Sequence, residues 1–166
     1  MPAFRPAPPF NVSVWLNAPA ALSLSSLSGR AVMAVAFQML CPGCVSHALP
    51  QAQRVRAAFS EDDLAVVGLH TVFEHHEAQG TKAALAAFLH ENRIAFPVGI
   101  DAPGDDRGLP QTMRAYNMQG TPTTLLIDRA GGLRLSKFGH IDDLRLGAAI
   151  ATLIGEAPES GPGTEG

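Results

Sequence analysis

Seven consecutive apolar residues, Ala31 to Phe37, run almost straight into a pair of cysteines, Cys41-Pro42-Gly43-Cys44. The run is far short of the roughly 20 residues that a membrane-spanning helix needs. With no polar residue to face water, it reads as a strand buried on both faces, the kind found at the centre of a sheet. From Cys44 to about Phe59 the apolar residues recur at helical spacing, with Val45, Leu49, Ala52 and Val55 near one face. Pro50 interrupts that pattern and is expected to kink the helix, since it has no N–H to give. The two cysteines therefore sit where a buried strand meets the start of a helix.

The flanking sequence alternates strand and helix signals. Asn11 to Leu16 alternates at period two, as an edge strand does, and Leu64 to His70 reads as a second buried strand. Thr81 is a candidate N-cap for a helix reaching about Glu91, with Ala84, Leu85, Phe88 and Leu89 on its apolar face. Phe96 to Ile100 reads as a short strand, 101–110 as a turn-rich loop, and Gln111 to Tyr116 as a short helix. Thr123 to Ile127 and Leu133 to Phe138 flank a turn at Ala130-Gly131-Gly132 and predict an antiparallel hairpin, with Asp128 and Arg129 shaping the turn. A last helix starts near Asp142 and places Leu146, Ile150, Leu153 and Ile154 on one side. That order predicts an α/β fold, a central mixed sheet with helices on both faces. One domain is expected over 11–156, with an N-terminal tail at 1–10 and a disordered C-terminal tail at 157–166, where no apolar residue could anchor the chain.

Charge narrows the partners. The formal net charge is -3 with both signs interspersed and no basic run, which argues against nucleic acid. No segment predicts a membrane span. The proline-rich start lacks a charged region followed by an apolar run, so no signal peptide is read and a cytoplasmic location is expected. The alternative is an extracytoplasmic protein whose start is incomplete.

The chain contains two cysteines in all. Two cannot build a disulfide framework, and a zinc site would need further ligands. A close pair at a strand-to-helix junction points instead to redox chemistry. The attacking form of a cysteine is the thiolate, and unpaired N–H groups at a helix start favour it. Cys41 lies at that start, Pro42 suits the first helical position, and Cys44 lies about one turn deeper. Cys41 is thus the expected nucleophile and Cys44 the resolving cysteine. The dithiol carries the electrons, so no cofactor is expected.

The segment Ala31 to Cys44 resembles the strand and CxxC of the thioredoxin superfamily. Tyr116-Asn117-Met118-Gln119-Gly120-Thr121-Pro122-Thr123-Thr124-Leu125-Leu126-Ile127-Asp128-Arg129-Ala130-Gly131 resembles the superfamily's cis-proline segment, in the form seen in TlpA-like and redoxin-like thiol–disulfide oxidoreductases. The resemblance extends over roughly residues 11–155 and implies a thioredoxin-like fold. It implies that Pro122 is cis and faces the CxxC, that Thr121 binds substrate backbone, and that Pro42 and Gly43 share the substrate-binding surface. Several positions depart from that pattern. Leu40 replaces the usual Trp, Val35 replaces thioredoxin's buried Asp, and His47 stands where TlpA-like members often carry Glu. The dipeptide between the cysteines is Pro-Gly, the reverse of thioredoxin's. Cys44 and His47 are three positions apart, so the two share a helix face, and a neutral imidazole there could accept the proton that Cys44 must lose. The alternative for His47 is an ordinary surface histidine.

The resemblance implies exchange with a protein or small-molecule disulfide. A cytoplasmic thiol pool would hold the pair reduced, so the reducing direction is expected, with a dithiol electron donor restoring the pair. Two rivals are a peroxiredoxin-like peroxide reductase and a non-catalytic metal-binding module. Against the first, Gln38 stands where peroxiredoxins carry Thr. For the second, the segment His70-Thr71-Val72-Phe73-Glu74-His75-His76-Glu77 offers ligand types, but its simpler reading is a polar loop at the rim of the site. Arg114 and Tyr116 are candidates to line the cleft or to lie on a helix surface.

Overall fold

The computed structural model describes residues 4–105 and 108–156. Six strands form one sheet: β1 (Val12–Leu16), β2 (Ala31–Phe37), β3 (Leu64–His70), β4 (Val98–Asp101), β5 (Thr123–Ile127) and β6 (Leu133–Phe138), in the spatial order β1-β4-β3-β2-β5-β6. The helices are α1 (Leu49–Ala58), α2 (His76–Gln79), α3 (Lys82–Glu91), α4 (Gln111–Ala115) and α5 (Asp143–Gly155). β2 pairs in parallel with β3 and antiparallel with β5, so the sheet is mixed, as expected. All seven β2 residues are buried, which is why the run carries no polar residue. Met33, Val35 and Phe37 pack with Leu49 and Ala52 of α1, Leu85 and Leu89 of α3, and Leu146, Ile150 and Leu153 of α5. Val32, Ala34 and Ala36 point to the other face, toward Leu27, Met113, Tyr116 and Met118. The α/β architecture with helices on both faces is thus present, three long helices on one side and the short α4 on the other.

Thr81 caps α3 by accepting from the Ala84 N–H, and Asp142 caps α5 by accepting from the Leu144 N–H. Each side chain satisfies a donor that the first helical turn leaves free. Three local expectations need correction. β4 begins at Val98 rather than Phe96, since Pro97 has no N–H for the ladder. The interruption at Pro50 takes the form of a π-helical turn over Cys44–Ala48, closed by the Leu49 N–H reaching back to the Cys44 carbonyl. That wider winding turns Val45 outward, where it is exposed, while Ala48 joins the buried face in its place. The short α2 begins within the stretch read as a plain polar loop and runs two residues past it.

Residues 5–8, within the segment read as a tail, are tied to the body of the molecule. Pro6 bridges to Gly132, the Ala7 N–H donates to the Gly131 carbonyl, and the Leu133 N–H donates to the Arg5 carbonyl. The Tyr116 hydroxyl donates to the Pro8 carbonyl at 2.6 Å. Prolines lack a donor but keep their carbonyls, so this proline-rich strap is held by the carbonyls of Arg5 and Pro8 and by the one N–H of Ala7. The expected C-terminal tail, 157–166, lies outside the described residues.

Asp101, at the end of β4, ties three elements together. Its carboxylate accepts from the Thr112 N–H at 2.7 Å, the Met113 N–H at 3.0 Å and the Thr71 hydroxyl at 2.7 Å. Burial raises its pKa, and these three donors oppose that rise. Asp101→Ala would strand two buried helix-start N–H groups and is expected to cost about 2–4 kcal/mol of stability, read from the urea unfolding midpoint. Asp101→Asn, which keeps one acceptor oxygen, is expected to cost less.

Candidate active site

β2 ends at Phe37, and its chain continues through a short turn into the π-helical segment that starts at Cys44. The Cys41 N–H donates back to the Gln38 carbonyl, and the Cys44 N–H donates to the Cys41 carbonyl, each at 3.1 Å. The Cys44 N–H also lies 3.3 Å from Cys41 Sγ. A helix-start donor thus faces the sulfur at the motif's first cysteine. The two sulfurs are 2.6 Å apart. Cys41 is partly open to solvent, whereas Cys44 is fully buried. Burial pushes the Cys44 thiol up to about 12. Its hydrogen bond to Cys41 adds to the rise, and the Gln38 backbone and the Thr121 hydroxyl pull the other way.

The Thr121–Pro122 bond is cis, as the resemblance implied. The Thr121 carbonyl lies 3.6 Å from Cys41 Sγ, placed to accept from its thiol. Pro122 faces the motif: a Cβ added at Gly43 would lie 3.7 Å from the proline Cδ. Cys41 and Pro42 open onto a cleft of about 280 Å³ whose walls include Leu40, Phe73, Thr121 and Phe138. Leu40 and Phe138 are both about half exposed. The cleft thus carries apolar side chains at Leu40, Phe73 and Phe138 and polar ones at Glu74 and His75, around a sulfur and a peptide carbonyl.

His47 sits on the π-helical segment, and its ring lies 3.8 Å, centroid to centroid, from that of His140. Its Nε2 is buried and has no hydrogen-bond partner among the described residues. No hydrogen bond joins it to Cys44 among those residues, because π winding offsets positions that an α-helix would align. Arg114 pairs with Asp105 at 3.3 Å and Tyr116 binds the Pro8 carbonyl, so both take the helix-surface and packing roles rather than lining the cleft. Asp128 does shape its turn, accepting from the Ala130 and Gly132 N–H groups.

The His70–Glu77 segment does not converge into a ligand set. Among the described residues no three His, Cys, Asp or Glu side chains lie together as a metal site requires. His70 is buried against Phe37, and its Nε2 accepts from the Met39 N–H at 3.4 Å. The following residues instead form one wall of the cleft, with Phe73, Glu74 and His75 on it. Two residues not singled out as site residues bind this wall to the cysteine turn. Gln38 accepts from the N–H groups of Phe73 and Glu74, and Gln79 accepts from the Leu40 N–H. A polar residue wedged between a buried strand and the CxxC was a signal available for Gln38, whereas nothing local marks Gln79.

The fold keeps His70 uncharged: burial lowers its pKa from 6.5 to about 4, with a bond to Gln79 opposing that shift. The unfolded chain therefore takes up this proton first as pH falls. Stability held above about pH 6.5 should drain away toward pH 4, by about 3 kcal/mol at most. Urea unfolding at about pH 7 and about pH 4.5 reads the difference. His70→Phe should flatten this part of the profile, and an unchanged slope would assign the acid sensitivity elsewhere.

A family profile described as the AhpC/TSA family matches residues 4–136. No curated protein matches the chain. Among solved structures, the thioredoxin-like superfamily protein SPOA0173 is 58% identical, with a TM-score of 0.89 over 92% of this chain and 97% of its own. A thiol-disulfide isomerase from Corynebacterium glutamicum is 42% identical, with a TM-score of 0.86 over 91% of this chain and 98% of its own. The thioredoxin domain of a thiol-disulfide oxidoreductase from Bacteroides vulgatus, 17% identical, matches in fold alone, with a TM-score of 0.70 over 92% of this chain and 99% of its own. This protein belongs to the AhpC/TSA family and is a thioredoxin-fold thiol–disulfide oxidoreductase.

Proposed function

We propose that this protein reduces disulfides through the Cys41-Pro42-Gly43-Cys44 dithiol. The observation that carries the reading is the asymmetry of the pair: sulfurs 2.6 Å apart, one facing a cleft and the other sealed in the core. The Cys41 thiolate attacks one sulfur of the substrate disulfide, forming a mixed disulfide and releasing the first substrate thiol. Cys44 then attacks Cys41 Sγ, closing the Cys41–Cys44 bond and releasing the second thiol. Two electrons pass to the substrate, and an external dithiol donor returns them.

Substrate backbone is proposed to pair with Thr121 beside Pro122, with Pro42 and Gly43 completing the contact surface. Cys44 starts protonated, so the second step needs a proton acceptor. His47 is proposed for that role because its Nε2 is buried and uncommitted. The substrates proposed are protein or small-molecule disulfides, in a reducing compartment such as the cytoplasm. No helix among the described residues is long and apolar enough to cross a membrane.

Insulin reduction driven by dithiothreitol tests the activity. Cys44→Ser is expected to trap mixed disulfides through Cys41, and Cys41→Ser to trap none, both read by non-reducing electrophoresis. Equal trapping by the two variants would remove the assigned roles. His47→Gln is expected to slow closure of the Cys41–Cys44 bond several-fold while leaving mixed-disulfide formation intact. Peroxide consumption with no disulfide reduction would favour the peroxidase reading instead.

A further inference from the structure

Beneath the cysteine turn lie two carboxamides with almost no solvent exposure, Gln38 at 3% and Gln79 at 1%. Gln38 Oε1 accepts from the Phe73 N–H at 3.1 Å, the Glu74 N–H at 3.3 Å and Gln79 Nε2 at 3.1 Å. Backbone N–H groups can only donate, so this end of the amide must be its oxygen. The other end, Nε2, therefore faces the Thr121 hydroxyl, 3.3 Å away, and donates to it. Gln79 is fixed by the same logic. Its Oε1 takes the Leu40 N–H at 3.1 Å, and its Nε2 donates to the Glu74 carbonyl at 2.7 Å. The pair joins the cysteine turn, the 73–79 wall and the cis-proline loop.

Apart from the β2–β5 ladder, Cys41 Sγ lies against the Thr121 carbonyl and Gln38 Nε2 against the Thr121 hydroxyl, the same hydroxyl that bears on the Cys44 thiol. The first needs the hydrogen on Cys41. The attacking thiolate already lacks that hydrogen, and the mixed disulfide lacks it for the whole life of the intermediate, so the contact has no donor there. The amide contact does not depend on the state of Cys41.

We propose that Gln38, oriented by Gln79, is a positioning residue that holds the Thr121–Pro122 loop over the cysteine pair while Cys41 is engaged in the mixed disulfide. Its work falls in the second half of the reaction, when Cys44 Sγ attacks Cys41 Sγ and the substrate leaves as a thiol. This inference rests on the thiol–disulfide reading above and assigns the residue that guards its intermediate. Loss of the contact should slow resolution and spare attack.

An aromatic nitrobenzoate disulfide separates the two steps. Reduced protein releases one coloured thiolate as Cys41 is modified and a second as Cys44 displaces the first adduct. In stopped flow, Gln38→Met is expected to slow the second phase about tenfold with the first phase within about twofold of the parent, and Thr121→Val is expected to slow the second phase about tenfold as well. Because both remove the same contact, the double variant is expected to be about tenfold slower, not a hundredfold. A purely structural role would instead show as lowered stability with both phases changed alike. Multiplying effects in the double variant would overturn the proposal. So would a normal second phase in Thr121→Val, which alters one side chain of the loop and decides the matter even where Gln38→Met does not fold. A parent protein with no second phase would instead sink the disulfide-exchange reading itself.

Discussion

Everything in the site depends on how β2 is gripped. It is paired on one side in parallel by β3 and on the other in antiparallel by β5. The parallel partner runs out at the same level, with Phe37 opposite His70. The antiparallel partner begins there, with Thr123 opposite Ala36. The chain leaving β2 and the chain entering β5 therefore meet at one edge of the sheet. Cys41 lies four residues beyond Phe37, and Pro122 lies one residue before Thr123. A register slip of one residue would turn every β2 side chain to the opposite face. With both faces buried, that slip is opposed over all seven positions, and the placement of cysteines against proline inherits that rigidity.

The turn above β2 then distributes its donors unevenly. His70 takes the Met39 N–H, Gln79 takes the Leu40 N–H, and the Gln38 carbonyl takes the Cys41 N–H. The Cys44 N–H is the one that reaches Cys41 Sγ. Buried donors left unpaired would cost roughly 1–3 kcal/mol each, so satisfying them is a condition for the turn to exist. The same condition places an uncharged histidine and two amides under the motif, where each accepts from backbone.

Those dependences explain what could be read from the sequence. β2, β3, β5 and β6 were legible because burial and turn chemistry are written locally, in unbroken apolar runs and in Gly131-Gly132. The Thr81 cap was legible for the same reason, since its capped N–H lies three residues away, and so was a helix start near Asp142. The cysteine pair and its proline were legible through resemblance to known motifs. What could not be read depends on partners distant in the chain. Pro6 meets Gly132 and Gln79 meets Leu40, and no pattern within either segment announces the other. The π-helical turn is an intermediate case. Pro50 marks an irregularity, but whether it resolves as a kink or as a wider winding is decided by what packs around Ala48 and Leu49.

The apolar substitution at Val35 gives the site its particular chemistry. Val35 is fully buried in the middle of β2, where thioredoxin carries an aspartate. No carboxylate on that strand stands ready to take a proton from below. The groups that do lie beneath the motif are carboxamides and a histidine kept neutral, and amides neither take nor give protons in the working range of pH. In the proposed mechanism the proton of Cys44 leaves toward His47, whose ring lies tilted against that of His140, rather than down into the sheet. Geometry and proton transfer are thereby divided between two sets of residues. The buried amides keep the cleft in shape without contributing charge. The proposed mechanism leaves the handling of charge to His47, half-buried beside the exposed His140.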